Sequence, residues 1–232
     1  KASSSKCGSA EVLKLLGVNI DANTKIVEEC IQKANIGFLM APLLHSSMKH
    51  AVGPRREIGI KTIFNILGPL TNPARATRQV IGVYDAKLTD IVAKVLKKLN
   101  TEHAFVVYGY DGMDEITTTD KTKVCELKDG EIKSYFITHD SFGIKKAEMK
   151  DFMVNSPEES ASAITAVLDG AIGPKRDIVL LNASAAIVTG GGVGNLRDGV
   201  RIAAESIDSG RAKASLGKLI ELTQNIGDAS KN

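Results

Sequence analysis

The sequence has no tryptophan, and aromatic residues make up only 4% of its 232 residues. It therefore offers few flat side chains on which nucleic-acid bases could stack. The net charge of +3 is mild, and the four lysines and one acid of residues 87–100 are spread among apolar residues, which is typical of a helix with one solvated face. We therefore expect no nucleic-acid partner, whereas a small anionic ligand is compatible with this composition.

Cysteine and long apolar runs are also scarce. Cys7, Cys30 and Cys125 have no CxxC spacing, so the sequence predicts neither a disulfide framework nor a zinc site. No apolar run approaches the roughly 18 residues of a membrane span, and a long one is interrupted by Asn182 and Ser184. The first residues lack the apolar segment of a signal peptide. We expect a cytoplasmic protein with no membrane partner.

The pattern of apolar residues predicts an α/β fold. Residues 77–85 are rich in β-branched side chains, residues 87–100 are amphipathic, and residues 103–110 form a second apolar run. A strand, a helix and a strand over about thirty residues predict a βαβ unit with parallel strands. Alternating runs around Asp129-Gly130 predict an antiparallel hairpin. We expect a largely parallel central sheet flanked by helices, with this hairpin added, in a single domain over residues 1–232.

Shorter patterns predict further elements. Residues 37–41 resemble a short buried strand, and residues 175–188 a short strand that runs into a helix. The apolar run from Lys61 is spaced as a helix that Gly68-Pro69 should end. Two more helices are expected on either side of Ser209-Gly210.

Helix starts are predicted from capping residues. Ser9 is a candidate cap, with phosphate binding at that helix end as an open alternative. Asn23 or Thr24 should begin a helix, and Ser156 with Glu159 forms a capping-box pattern. The glycines from Gly190 to Gly194 do not fit G-x-G-x-x-G, so they predict a helix end and a new start at Asn195 rather than a dinucleotide site.

Two groups of polar residues could carry chemistry. Asp114 and Glu115 follow the strand predicted at 103–110, where ligands collect at the carboxyl ends of strands, and Mg²⁺ is typically held by one or two carboxylates together with substrate phosphates. An acid pair in a surface loop can equally be solvated. Arg55 offers a planar fork for a carboxylate or phosphate, although it could also pair with Glu57. His45 alone is more often a packed residue than a catalytic one.

The run GIKTIFNILGPLTNP at residues 59–73, with Arg55-Arg56-Glu57 just before it, closely resembles a segment of the anthranilate phosphoribosyltransferases. Residues 5–20, 43–59 and 109–116 resemble three further segments of this family, in the same order. The resemblance implies transfer of the phosphoribosyl group of phosphoribosyl diphosphate to the amino group of anthranilate, with release of diphosphate.

The resemblance also implies roles for individual residues. Arg55 would bind the anthranilate carboxylate, with His45 and Pro69 lining the pocket of its ring. Asp114 and Glu115 would hold Mg²⁺ on the diphosphate. No residue is assigned as a general base. The residues that would contact the phosphoribosyl diphosphate are Lys1, Ser3, Ser4, Ser5 and Ser9.

The sequence departs from the family pattern at its start. The family has an N-terminal helical region and diphosphate-binding loops that these residues do not include, and Lys1 stands where the family usually has arginine. We expect the chain to be the C-terminal part of the enzyme, with a domain of the nucleoside phosphorylase/phosphoribosyltransferase type. Residues 42–66 would pack against the missing helices. The piece alone would be weakly active or inactive, and the full-length protein would be a homodimer.

Two other functions compete with this interpretation. A pyrimidine nucleoside phosphorylase-like enzyme would use phosphate to cleave thymidine or uridine. The other alternative is a noncatalytic binding module. It would be favoured if Arg55→Ala and Asp114→Ala in the full-length chain left phosphoribosyl transfer unchanged.

Overall fold

The computed structural model describes residues 8–40 and 64–225, which fall into two compact units. The described residues of the first unit are Pro69–Met153 and Gly170–Ser206. The second unit comprises the described parts of Ser5–Gly68, Val154–Asp169 and Ile207–Asn232. The expectations of a single domain over residues 1–232, and of residues 42–66 packing on missing helices, stay predictions.

The described chain begins with three helices, continues with four strands of which the first two are separated by a helix, and ends with helices alone. The helices are α1 (Ser9–Leu15), α2 (Thr24–Ala34), α3 (Phe64–Leu70), α4 (Ala86–Lys98), α5 (Pro157–Leu168), α6 (Pro174–Thr189), α7 (Leu196–Asp208) and α8 (Arg211–Gln224). The strands are β1 (Arg78–Gly82), β2 (His103–Gly109), β3 (Thr122–Lys128) and β4 (Glu131–Ile137), and 3-10 turns lie at His139–Phe142 and Met149–Phe152. Among the described residues, no helix combines the length and apolar character needed to cross a membrane.

The four strands form one mixed sheet in the order β1-β2-β3-β4. β1 and β2 are parallel, as the βαβ pattern predicted, and β3 and β4 form the predicted antiparallel hairpin. The α/β class is therefore confirmed. The predicted parallel majority is not found in the described sheet, because the chain returns from β2 through a loop and pairs β3 antiparallel to it instead of making a second helical crossover.

Helices cover both faces of this sheet. Val124 and Cys125 are successive residues of β3, so their side chains point to opposite faces. Val124 packs in the core cluster that contains Leu181 and Ala185 of α6. Cys125 faces Asp90 of α4, with the sulfur 3.6 Å from a carboxylate oxygen. The first unit is thus a helix–sheet–helix arrangement with its most buried strand, β2, in the interior.

The hairpin turn has the conformation that its sequence predicted. Asp129 and Gly130 both have positive φ, at 50° and 79°. Two consecutive left-handed residues match the twist of the flanking strands in a two-residue turn. β4 is one of the two edge strands of the described sheet, and its Glu131 and Lys133 side chains are 74% and 72% exposed.

Two predicted short strands are wrong. Residues 37–40 are not a strand; Phe38 and Met40 instead pack against the core of the second unit. Residues 175–188 are helical throughout, as part of α6, because Ile178, Leu181 and Ala185 share one buried helix face. A short apolar run does not by itself distinguish a strand from a buried helix.

Gly68-Pro69 does not end α3. The helix extends through both residues to Leu70, with Pro69 inside it. Proline lacks an N–H and so removes one helical hydrogen bond, and the helix ends only one residue after Pro69, at Leu70.

The second unit packs α2 against α8. Its core contains Val18, Cys30 and Leu219, all at most 2% exposed. Asn23 caps α2 by accepting a hydrogen bond from the Ile26 N–H at 3.1 Å, as predicted. The two closing helices, α7 and α8, also lie on either side of Ser209-Gly210 as predicted.

The other predicted helix starts have mixed outcomes. Ser156 accepts a hydrogen bond from the Glu159 N–H at 3.2 Å, and Asn195 accepts one from the Asp198 N–H at 2.9 Å, so both predicted starts are confirmed. Ser9 is not a cap: the chain enters α1 one residue earlier, so Gly8 is the N-cap and Ser9 is already helical.

Asp90 joins α4 to the sheet through charged hydrogen bonds, which predicts a pH dependence of stability. Its carboxylate accepts hydrogen bonds from Lys123 Nζ at 2.5 Å and from Ser134 Oγ at 2.8 Å, and these bonds lower the pKa of Asp90 to about 2. A folded-state pKa below the unfolded value of about 3.9 means that the carboxylate stabilises the fold above that pH. This contribution is lost as the pH falls from about 4 to 2.

We therefore expect Asp90→Asn to lower the free energy of unfolding at pH 7, and the difference from the natural protein to shrink as the pH falls from 4 to 2. Urea unfolding followed by circular dichroism at several pH values measures this difference. As a control, Glu205→Gln removes an exposed pair with Arg201 and should cost less than about 1 kcal/mol. If the difference in the free energy of unfolding between Asp90→Asn and the natural protein did not depend on pH, the lowered pKa of Asp90 would be contradicted.

Candidate active site

Six of the residues predicted to bind substrates lie outside the residues that the structure describes. They are Arg55 and His45, expected at the anthranilate site, and Lys1, Ser3, Ser4 and Ser5, expected at the phosphoribosyl site. Their roles stay predictions.

Two other predicted residues are described, one in each unit. Pro69 is exposed near the end of α3. Ser9 is exposed at the first position of α1, and no side-chain hydrogen bond caps that helix. Both side chains are accessible to solvent.

The predicted acids, Asp114 and Glu115, are adjacent in the loop that joins β2 to β3, and both are exposed. This loop lies directly on the last residue of β1. A Cβ atom added to Gly82 would be 1.5 Å from the Asp114 carbonyl oxygen, so glycine is required for this approach. The acids therefore stand at the carboxyl ends of the parallel strands β1 and β2, where open α/β sheets bind ligands.

Backbone hydrogen bonds give the acidic loop a defined shape. The Gly109 N–H donates to the Met113 carbonyl and the Gly112 N–H donates to the Gly109 carbonyl, both at 2.9 Å. Gly112 has a φ of 96°, which an L side chain rarely adopts. The Tyr110 N–H donates to the Lys121 carbonyl at 3.0 Å and joins the two ends of the loop.

Asp111 organises the same loop, a role that the sequence prediction missed. Its carboxylate accepts hydrogen bonds from the hydroxyls of Thr117 and Thr119 and from the Met113 N–H, the last at 3.0 Å. These bonds leave Asp111 a structural partner of the loop rather than a free ligand. The available signal was the spacing. Asp111 lies three residues before Asp114, and three consecutive threonines, whose hydroxyls can donate hydrogen bonds, follow at residues 117–119.

Asn182 of α6 binds the end of the acidic loop, which the sequence prediction also missed. Its Oδ1 accepts from the Ile116 N–H at 2.9 Å, and its Nδ2 donates to the Ile116 carbonyl at 2.8 Å. Nδ2 also donates to the Ile178 carbonyl of its own helix at 3.0 Å. No local sequence signal could find this contact, because the partners are 66 residues apart.

The electrostatics of the loop favour a cation. Protein atoms crowd the Glu115 carboxyl although the residue is exposed, and this limited hydration raises its pKa. The negative charges of Asp114 and Asp111 raise the pKa further. A bound cation would relieve this repulsion. Within the described ranges, no three or more histidine, cysteine or acidic residues are arranged to hold a metal ion, so this loop would supply part of a metal's coordination and a ligand the rest.

The acidic loop lies at the carboxyl ends of a parallel strand pair, which is where α/β proteins with open sheets bind ligands. Comparison with known families specifies the class. The family described as "Glycosyl transferase family, a/b domain" matches residues 1–213. The chain belongs to this family.

Curated relatives and solved structures that resemble the chain are enzymes of one kind. Anthranilate phosphoribosyltransferase of Acetivibrio thermocellus is 50% identical over 223 residues, which cover 96% of this chain and 65% of that protein. The crystal structure of anthranilate phosphoribosyltransferase from Thermus thermophilus superposes with a TM-score of 0.87 at 34% identity, covering 97% of this chain and 67% of that one.

A third relative has been solved with ligands. Anthranilate phosphoribosyltransferase from Saccharomyces cerevisiae, in complex with PRPP and Mg, superposes with a TM-score of 0.86 at 29% identity, covering 94% of this chain and 63% of that one. The chain thus spans about 65% of the length of the curated relatives it matches.

Gly82 provides a test of the loop's position. A methyl group on Gly82 would overlap the Asp114 carbonyl, so Gly82→Ala must displace the loop or the end of β1. We expect a loss of about 1–3 kcal/mol in the free energy of unfolding, as for other overpacked sites. Urea unfolding followed by circular dichroism measures it.

Gly194→Ala is the matched control, because a Cβ atom there meets nothing within 4 Å. Its effect should stay within about 0.5 kcal/mol. Equal stability of the two variants would mean that the loop does not lie on Gly82.

Proposed function

We propose that the protein carrying this chain is an anthranilate phosphoribosyltransferase. It transfers the phosphoribosyl group of phosphoribosyl diphosphate to the amino group of anthranilate and releases diphosphate. Family membership and 50% identity to an enzyme of that name support the proposal. The structural observation that carries it is the acidic loop at the carboxyl ends of β1 and β2, where a metal-bound diphosphate can be held.

Asp114 and Glu115 fit a Mg²⁺ ion shared with substrate. Mg²⁺ is usually bound through one or two carboxylates plus substrate phosphates and water, not by a cage of protein ligands. The crowding of negative charge on Glu115 favours a cation in this place. When bound, the ion would neutralise charge on the departing diphosphate. The two carboxylates would hold and orient it, while Asp111 would keep the loop in shape.

The other predicted residues complete the proposed site. Arg55 would bind the anthranilate carboxylate through its planar fork, with His45 and Pro69 against the ring. Positioning and electrostatics would provide most of the rate, so no general base is assigned. The proposed contacts of phosphoribosyl diphosphate are Lys1, Ser3, Ser4, Ser5 and Ser9. A homodimer and a cytoplasmic location also stay predictions.

The acid pair provides the first test of the proposed function. In the full-length protein, Asp114→Asn and Glu115→Gln should each lower kcat/KM for phosphoribosyl transfer by at least about 100-fold, because the charge that holds the metal is lost. The loss of anthranilate fluorescence in the presence of phosphoribosyl diphosphate and Mg²⁺ measures the reaction.

Asp120→Asn is the control. Asp120 is an exposed acid of the same loop, and among the contacts described it bonds only the N–H of Lys121, at 2.7 Å. It should keep full activity. Phosphate-dependent cleavage of uridine or thymidine, without transfer to anthranilate, would replace the proposal with a nucleoside phosphorylase. Transfer that is unchanged in Asp114→Asn would remove the acid pair from the site.

Arg55 provides a separate test of substrate recognition. Arg55→Lys keeps the positive charge but loses the two-point fork. We expect KM for anthranilate to rise about tenfold, in line with one lost charge-assisted hydrogen bond, and KM for phosphoribosyl diphosphate to change little. Steady-state kinetics with each substrate varied in turn measure both constants, with Arg56→Lys as the control. An unchanged KM for anthranilate would mean that Arg55 does not bind the anthranilate carboxylate.

A further inference from the structure

The amide of Asn182 has a single possible orientation in its site. Its oxygen faces an N–H, and its nitrogen faces two carbonyl oxygens, of Ile116 and Ile178. Both N–H bonds of the amide are therefore used, one on the loop and one on its own helix. The side chain is half-buried, where an unmade hydrogen bond is costly. These contacts hold Asn182 fixed between α6 and the loop.

Ile116 is the residue that the amide fixes, and it directly follows Glu115. The peptide bond between them is planar, so the direction of the Ile116 N–H also sets the plane of the Glu115 carbonyl group. The Ile116 side chain is 1% exposed and packs in the same cluster as Leu181 and Ala185 of α6. Backbone and side chain of Ile116 are thus both attached to one rigid helix.

The contacts of Asp111 and Asn182 have different effects on the loop. Asp111 bonds to Met113, Thr117 and Thr119, all of which are within the loop, so it fixes the loop's shape. Asn182 bonds the loop to a helix of the surrounding fold, so it fixes where that shape sits relative to the ends of β1 and β2.

We propose that Asn182 is a positioning residue for the metal-diphosphate site: by binding both backbone groups of Ile116, it holds Asp114 and Glu115 in the place where they take the cation. This inference rests on the proposed function. Asn182 acts through Ile116 and makes no contact of its own with metal or substrate in this assignment.

The test compares Asn182→Ala and Asn182→Asp with the full-length natural protein. Two measurements do not depend on turnover: hydrogen exchange of the loop amides at 110–121 in metal-free protein, and binding of Mn²⁺ in the presence of phosphoribosyl diphosphate, followed by electron paramagnetic resonance. We expect Asn182→Ala to raise exchange at Ile116 at least tenfold and to weaken Mn²⁺ binding about 10- to 100-fold, as is typical when a partner of a metal ligand is lost. KM for anthranilate should not change.

Asn182→Asp keeps an acceptor for the Ile116 N–H, but it loses both donors and sets a carboxylate oxygen against two carbonyl oxygens. Its effects should therefore have the same direction and be at least as large. The matched control is Ser184→Ala, on the same helix. Ser184 is fully buried, and its hydroxyl bonds the Leu181 carbonyl of α6 at 2.6 Å without reaching the loop. It should leave loop exchange and Mn²⁺ binding unchanged.

If Asn182→Ala has the same hydrogen exchange in the loop and the same Mn²⁺ affinity as the natural protein, the inference is overturned and the proposed function stays in place. If Asn182→Ala does not fold, the same result in Asn182→Asp overturns it. If the natural protein bound Mn²⁺ but transferred no phosphoribosyl group to anthranilate, the proposed function would be wrong instead. Failure of the inference and failure of the proposed function therefore give different results.

Discussion

Repulsion between like charges is the constraint on which the candidate site depends. Asp114 and Glu115 are neighbours on an exposed loop, and two unit charges 4 Å apart repel by about 1 kcal/mol even in water. The hydrogen bonds that hold the loop contribute about 0.5–1.5 kcal/mol each. Several such bonds, from Asp111 and Asn182, are enough to offset the repulsion. The scaffold therefore holds the two acids side by side despite their repulsion.

The sheet supplies the surface on which this loop rests. β1 and β2 end side by side because they are parallel, and α4 makes the crossover between them. The chain then returns into β3 beside β2, so both ends of the acidic loop are attached to paired strands. Gly82 lets the loop lie against the end of β1. A mixed sheet thus does locally what a larger parallel sheet would do: it places a loop at the carboxyl ends of parallel strands.

Features that depend on nearby residues could be predicted from the sequence. The βαβ unit, the Asp129-Gly130 turn and the caps at Asn23, Ser156 and Asn195 are all set by patterns within a few turns or strands. α6 was partly mistaken for a strand because a short apolar run fits either structure, and only its packing on the sheet decides.

The position of the candidate acid pair, in the loop after β2, could be predicted for the same reason: the pair follows a clear strand. The residues that hold it were missed. Gly82 and Asn182 lie far along the chain from the loop they contact, and one sequence carries no trace of such pairings. Asp111 is close in sequence, but acids in a loop give no sign of which one binds the backbone and which one is free.

The outer edge of the sheet has a consequence for the behaviour of the chain in concentrated solution. β4 has one neighbour in the described sheet, and an open strand edge can recruit strands from other molecules into aggregates. Glu131 and Lys133 project from the same face of this strand and pair with each other at 3.3 Å while staying well hydrated. A strand docking there would have to dehydrate both charges, so the hairpin also discourages growth of the sheet into fibres at this edge.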